Sequence, residues 1–196
     1  MNTAEASTDW ALPSPRKVGI ACLILTESAL FTIFVVAYLF YVNKSLNGPL
    51  PSDVLEFPWL GSIALLGSSG TIIVAESFLK KGRRVGFLIW WGITMALGLY
   101  FLGFTAAEWH HLIFEKNLTI STNVFGTTFY SLVGLHASHV FVGLILLSVA
   151  FLAMLRKRVD CAHHEHVEMI SWYWHFVDAI WLVVLSVVYI YSVRAS

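Results

Sequence analysis

The chain has 196 residues, 58% of them hydrophobic and 12% charged, and carries no net charge. A soluble domain has about 45–50% apolar and about 25% charged residues. The balance here therefore excludes an ordinary soluble protein and points to a membrane one, while zero net charge argues against a basic nucleic-acid-binding chain. The two cysteines, Cys22 in an apolar run and Cys161 in a polar loop, leave no disulfide framework and no paired-cysteine metal motif.

The polar opening "MNTAEASTDWALPSPRK" leads into a first apolar run, Val18–Val42, that is too long for a signal-peptide core and has no small-residue cleavage site after it. It reads as a retained membrane span. Four more runs follow, at Pro58–Leu79, Val85–Trp109, Val124–Leu155 and Ile170–Val193. Each can cross a hydrocarbon core that needs about 20 helical residues, and all are far longer than the ~10-residue strands of a membrane barrel. The expected fold is an all-α bundle of five transmembrane helices in a single domain, residues 1–196. At ~1.5 Å per residue the fourth run would reach ~48 Å, so it should tilt or project beyond the bilayer.

Basic residues set the expected orientation. One side of the membrane carries Arg16, Lys17, Lys80, Lys81, Arg83, Arg84, Arg156, Lys157 and Arg158; the other has Lys44, Lys116 and Arg194. This asymmetry predicts an inside N-terminus and an outside C-terminus. The stretch "SWYWHFVDAIW" then opens the last span near the inner interface, where Trp172, Tyr173 and Trp174 suit an aromatic belt.

Ionisable residues inside the spans are costly and mark functional or partnered positions. Glu27, in "LILTESALF", is either functional or a protonated side chain hydrogen-bonded to a neighbouring helix. His175 and Asp178 share a helical face, and Asp178 can accept from His175 or from an indole N–H of another span. They form either a proton-relay or lipid-headgroup site, or a satisfied clamp between helices. His136 and His139 lie among Gly134, Ser138 and Gly143, which permit close helix contact, and can bridge spans. Haem ligation is the competing reading. Counting from the inner ends of their runs places His139 ~24 Å deep and His175 ~8 Å deep, which argues against one iron holding both. "HHEHVE" lacks the HExxH spacing and reads as a solvated loop. Glu76 and Glu108 lie near span ends and can reach the interfaces.

Together these segments resemble the cytochrome c oxidase subunit III family in its short, five-span bacterial form. "WYWHFVDAIW" is similar to that family's last-helix signature, "FGTTFYSLVGLHASHVFVG" to its "GSTFF…TGFHGxHVxxG" segment, "LTESALF" to "SExxFF" and "AAEW" to "xxEY", in order from about Ala21 to Tyr191. The chain departs from the pattern at Gly61-Ser62, where the family has Asn-Thr, at Glu76-Ser77, where it has a histidine pair, and at Thr105, where it has glutamine. Two N-terminal spans of the longer family form have no counterpart.

The resemblance implies a non-redox subunit of a proton-pumping oxidase that reduces oxygen to water, in the bacterial cell membrane. No catalytic residue, haem or copper would reside on this chain; haem and copper would lie in partner subunits. It would pack directly on subunit I, join subunit II, bind phospholipid in a cleft and sustain proton uptake. Glu27 matches the family's membrane carboxylate. His136, His139, Trp174, His175, Asp178 and Glu108 match signature positions that support the bundle and its lipid cleft. Arg83, Arg84 and Arg156 could meet anionic headgroups. Quinol instead of cytochrome c as electron donor, a nitric-oxide-reductase-associated homologue, and a stand-alone proton channel or transporter using Glu27 and Asp178 remain as alternatives.

Overall fold

A computed structural model describes residues 14–42, 44–45, 48–156 and 164–192. The elements are α1 (Pro15–Tyr41), a short α2 (Pro51–Val54), α3 (Trp59–Lys80), α4 (Arg84–Phe114), α5 (Val124–Leu155) and α6 (His164–Leu185), which runs on into a π-helical turn, Ser186–Tyr191. Among the described residues five helices, counting α6 with its π turn as one, are long and apolar enough to cross a membrane. Two bounds differ from the sequence expectation by five residues or more. Helix α4 continues to Phe114 and α6 begins at His164, because hydropathy marks only the lipid-immersed part of a helix that extends into the polar zone.

Local chemistry sets the ends. The Ser14 side chain accepts from the Lys17 N–H, with Pro15 in the first turn where its missing donor costs nothing. Asn123 caps α5, its Oδ1 accepting from Gly126 N at 2.7 Å while its Nδ2 donates to the Pro49 carbonyl in the segment between α1 and α2. Between α3 and α4, Gly82 takes φ +70°. There Gly82 N donates to Leu79 O and Arg83 N to Phe78 O, the paired bonds of a Schellman turn. That turn folds α4 back along α3, and these two helices make the most extensive contact in the bundle. Helix α5 packs on α4, α6 and α1, and α6 also lies against α3 and α1.

Ser14, Lys80, Arg84, Leu155 and His164 fall at one end of the bundle, so the described members of the basic set, Arg16, Lys17, Lys80, Lys81, Arg83, Arg84 and Arg156, share one end. Ion pairs tie this end together: Lys17 to Glu168 at 3.0 Å and Arg16 to Glu165 at 3.8 Å, with the Ser14 hydroxyl also donating to Glu165. Residues 164–168 of "HHEHVE" are thus the first turn of α6 docked on the start of α1 rather than a solvated loop; His163 lies outside the described residues, as do Lys157, Arg158 and Cys161.

The core is knit by long aromatic side chains with their polar ends satisfied. The Trp91 indole on α4 donates to the Leu147 carbonyl of α5 at 2.9 Å, and Thr71 and Thr94 pair at 2.7 Å across α3 and α4. Trp174 of α6 is fully buried and donates to Ser68 Oγ on α3 at 2.8 Å. Its ring fills space left by two glycines: a Cβ on Gly98 of α4 would stand 2.7 Å from it, and one on Gly143 of α5 2.9 Å. Trp174 therefore does not belong to an interfacial belt. Tyr173 is also buried, and only Trp172 stays exposed, with Lys17 Nζ 5.7 Å from its ring centroid. The earlier start of α6 carries Tyr173 and Trp174 inward.

Because close packing substitutes for a hydrophobic driving force inside lipid, the Gly143→Val variant should overpack the indole seat. It is expected to lose about 1–3 kcal/mol of stability, seen as earlier thermal unfolding in detergent, with Gly103→Ala at an open position as the neutral control.

Candidate functional site

Three carboxylates within the spans have defined partners. The first joins α1 to α5. Glu27 Oε2 lies 3.0 Å from His139 Nε2, and His139 Nδ1 lies 2.8 Å from the Leu135 carbonyl. A carbonyl only accepts, so Nδ1 carries hydrogen. One proton then remains to be shared between Nε2 and the carboxylate, either as carboxylic acid to imidazole or as imidazolium to carboxylate. Phe31, one turn along α1 from Glu27, lies against the His139 ring at 4.9 Å between centroids. Glu27 is thus no lone carboxylate: the histidine expected to bridge spans is its partner.

His136, one turn away on α5, does something different. It is fully buried and stacks on Trp181 at 5.0 Å, edge-on to Phe101 at 5.8 Å, and neither ring nitrogen has a hydrogen-bond partner among the described residues. It bridges helices by ring contact alone.

The second carboxylate joins α6 to α3. The Ser69 hydroxyl on α3 bonds Asp178 Oδ2 and lies 3.0 Å from His175 Nδ1. The expected partner of Asp178, His175 or an indole, is replaced by a hydroxyl that links both. The indoles take neighbouring serines instead, Trp174 on Ser68 and Trp181 on Ser62 at 3.1 Å. Asp178 is buried and its Oδ1 has no partner among the described residues. His175 stands eleven residues into α6 from His164, ~16 Å rather than ~8 Å, so the depth gap to His139 is smaller than the sequence count gave. What separates the two rings is direction, since one faces Glu27 and the other Ser69.

The third carboxylate lies toward the other end. Glu108 Oε1 accepts from the Tyr189 hydroxyl at 2.9 Å, with Tyr189 presented by the π-helical turn. Glu108 also lines a cavity of about 330 Å³ with Glu56, His111 and Phe104.

At the basic end, Arg84 turns inward: its Nη2 donates to the Met154 and Leu155 carbonyls at 2.6 and 3.0 Å, capping α5. That bonding draws it away from the headgroup role expected of it, whereas Arg83 and Arg156 are exposed. A groove of about 410 Å³ runs between α1, α5 and α6, with Arg16 and His166 at its mouth and Ile20, Leu23 and Leu146 along its wall. Glu27 follows Leu23 by one turn. Sequence reasoning missed Ser62, Ser68, Ser69 and Arg16 as partners at these sites. The serines' signal was present in "GSIALLGSSG", where hydroxyls punctuate an apolar run opposite tryptophans whose N–H groups need acceptors. Among the described residues no cluster of three or more His, Cys, Asp or Glu could hold a metal ion.

The family model for cytochrome c oxidase subunit III matches residues 10–193. Cytochrome c oxidase subunit 3 of Alkalihalophilus pseudofirmus is 34% identical over 169 residues, covering 85% of this chain and 82% of that protein. The Synechocystis protein of the same name is 35% identical over 190 residues, covering 95% and 80%. That of Dugong dugon is 38% identical over 143 residues, which is 73% of this chain and 53% of the longer mammalian protein.

The shared proton makes Glu27 and His139 energetically interdependent. In a double-mutant cycle with Glu27→Gln and His139→Asn, thermal stability of the purified protein should reveal a coupling of about 0.5–3 kcal/mol. Strict additivity would mean that the two side chains do not bond.

Proposed function

Since the chain belongs to the cytochrome c oxidase subunit III family, a multi-pass membrane family without a redox centre of its own, we propose that it supports oxygen reduction carried out elsewhere in a bacterial oxidase. On this reading the haems and copper lie in subunits I and II, cytochrome c is the electron donor, and the chain packs directly on subunit I as one domain. It steadies the catalytic subunit, holds phospholipid and sustains proton uptake. The basic end faces the inside of the cell and the C-terminus the outside, in keeping with the basic-residue asymmetry.

The observation that carries the reading is the Glu27–His139 pair. A carboxyl group hydrogen-bonded to an imidazole can pass a proton to it or take one back. Such a group tunes proton supply without performing the chemistry. The apolar groove beneath it, with basic side chains at the mouth, has the form needed for an acyl chain under an anionic headgroup, and exposed Arg83 and Arg156 could add charge at the same end. Trp174, His136, His175, Asp178 and Glu108 hold the helices in place around it.

Glu27→Gln preserves shape and much of the hydrogen bonding but removes the titrating group. The variant oxidase should assemble, lose labelling by a hydrophobic carbodiimide at this position, and retain most of its oxygen consumption, with a modest fall in proton uptake or in endurance over many turnovers. Complete loss of oxygen consumption in a fully haem-loaded complex would overturn the supporting role.

Orientation has its own check. A cysteine at Ser45, in the loop between α1 and α2, should react with a membrane-impermeant thiol reagent from the outer face of intact cells. Labelling only after the inner face is opened would reverse the assignment.

A further inference from the structure

The α3–α6 seam holds more ionisable and hydroxyl groups than a clamp requires. At the basic end, Glu76 and Lys80 of α3 and Glu168 of α6 line a cavity of about 250 Å³, and Lys17 of α1 reaches Glu168 at 3.0 Å. A polar cavity of that size has room for several waters. From Glu76 to Ser69 along α3, and from Glu168 to His175 along α6, is seven residues each, ~10 Å of rise. The two antiparallel helices thus carry their polar groups at matching levels, cavity first and the His175–Ser69–Asp178 chain above it.

Beyond Asp178 the seam closes. Trp181, three residues past Asp178, spends its indole N–H on Ser62 and its ring is fully buried. Asp178 sits at this closed end with only 4% of its surface exposed and one carboxylate oxygen unpartnered among the described residues. It lies ten residues along α6 from Glu168, ~15 Å, about half of a hydrocarbon core.

We propose that this seam is a proton-binding well, a blind polar inlet filled with water from the basic end and terminating at Asp178, where one proton is held. Delivery follows from the hydrogen bonds. A hydrated proton binds His175 Nε2. The Nδ1 hydrogen then passes to Ser69 Oγ as the Ser69 hydrogen passes to Asp178 Oδ2. One proton enters, the carboxylate becomes a carboxylic acid, and the serine and imidazole end neutral; release retraces the steps. Lys17 and Lys80 at the mouth tune entry through Glu168 and Glu76. The aromatic seal makes the inlet a store that fills and empties at one end rather than a transmembrane channel.

Infrared difference spectroscopy on the assembled oxidase after a rapid acid step tests this. The wild type should develop a carboxylic C=O band that shifts in D2O and is lost in Asp178→Asn. Ser69→Ala should keep the band but slow its appearance several-fold, with Ser69→Thr restoring the rate, and Glu76→Gln should also slow it. A purely structural role would change assembly without this kinetic pattern. In vesicles whose orientation is reported by thiol labelling of a Ser45→Cys variant, the band should respond to acid at the basic end alone. If Asp178→Asn fails to assemble, the Ser69 variants decide. A band unaltered by Asp178→Asn, wild-type kinetics in an assembled Ser69→Ala complex, or a response to acid from the opposite end alone would each overturn the proposal.

Discussion

The Trp174 indole is the contact on which the bundle's registers depend. It leaves α6, enters a gap that exists only because α4 and α5 each present a glycine, and ends with its N–H on a serine of α3. One side chain thus fixes its helix against three others. In lipid, where apolar contact between helices has no water to expel, such interlocking and an interhelical hydrogen bond carry much of the association. Both polar sites are indexed from it. His175 follows Trp174 and Ser69 follows Ser68, so seating the indole on Ser68 brings the next residue of each helix together. His139 lies one turn from Gly143 on α5, where Tyr173, the neighbour of Trp174, reaches the His139 carbonyl at 3.4 Å.

A charge buried in hydrocarbon is expensive, and three of the span carboxylates are accommodated in three ways. Glu27 shares a proton with an imidazole. Asp178 is bonded by the Ser69 hydroxyl and Glu108 by the Tyr189 phenol. These partners differ in consequence. An imidazole can exchange the proton outright, and a serine hydroxyl can pass a proton along when a second titrating group stands behind it, as His175 does. A phenol at the π-helical turn holds its carboxylate as a donor. A wound-out turn at this position also fits the tendency of π segments to occur where a helix must re-aim a side chain.

Much of this was legible in the sequence, and the remainder was hidden for physical reasons. Five spans follow from hydropathy because the bilayer imposes one length on every helix. Their ends do not follow. The first turn of α6 is polar and helical through its ion pairs with Arg16 and Lys17, partners about 150 residues away in the chain. Missing that turn misplaced Trp174 at the interface and His175 near it. Glu27, His136, His139, His175 and Asp178 each stood out singly, since ionisable groups are rare in apolar runs. Their pairing did not, because bonds such as Glu27 to His139 are tertiary. Ser69 left the faintest trace: serine weighs little in hydropathy, yet its hydroxyl links His175 to Asp178.

The arrangement also determines what the two polar sites can exchange. Helix α6 separates them, with Glu27 and His139 on the α1–α5 side and Asp178 on the α3 side. Between the sites, in the bundle interior, stand His136, Trp181, Phe101 and Phe31, a fully packed aromatic cluster. His136 is the one member able to carry a proton through it, and both of its nitrogens are buried without a hydrogen-bond partner among the described residues. A proton cannot cross a group that has no donor or acceptor on either side. Among the described residues the ring stack thus holds no hydrogen-bonded path between the two sites, and the His136 imidazole lies flat against Trp181. Two histidines one turn apart on α5 are divided in role by their neighbours alone: the one facing α1 finds a carboxylate, and the one facing the core finds only rings.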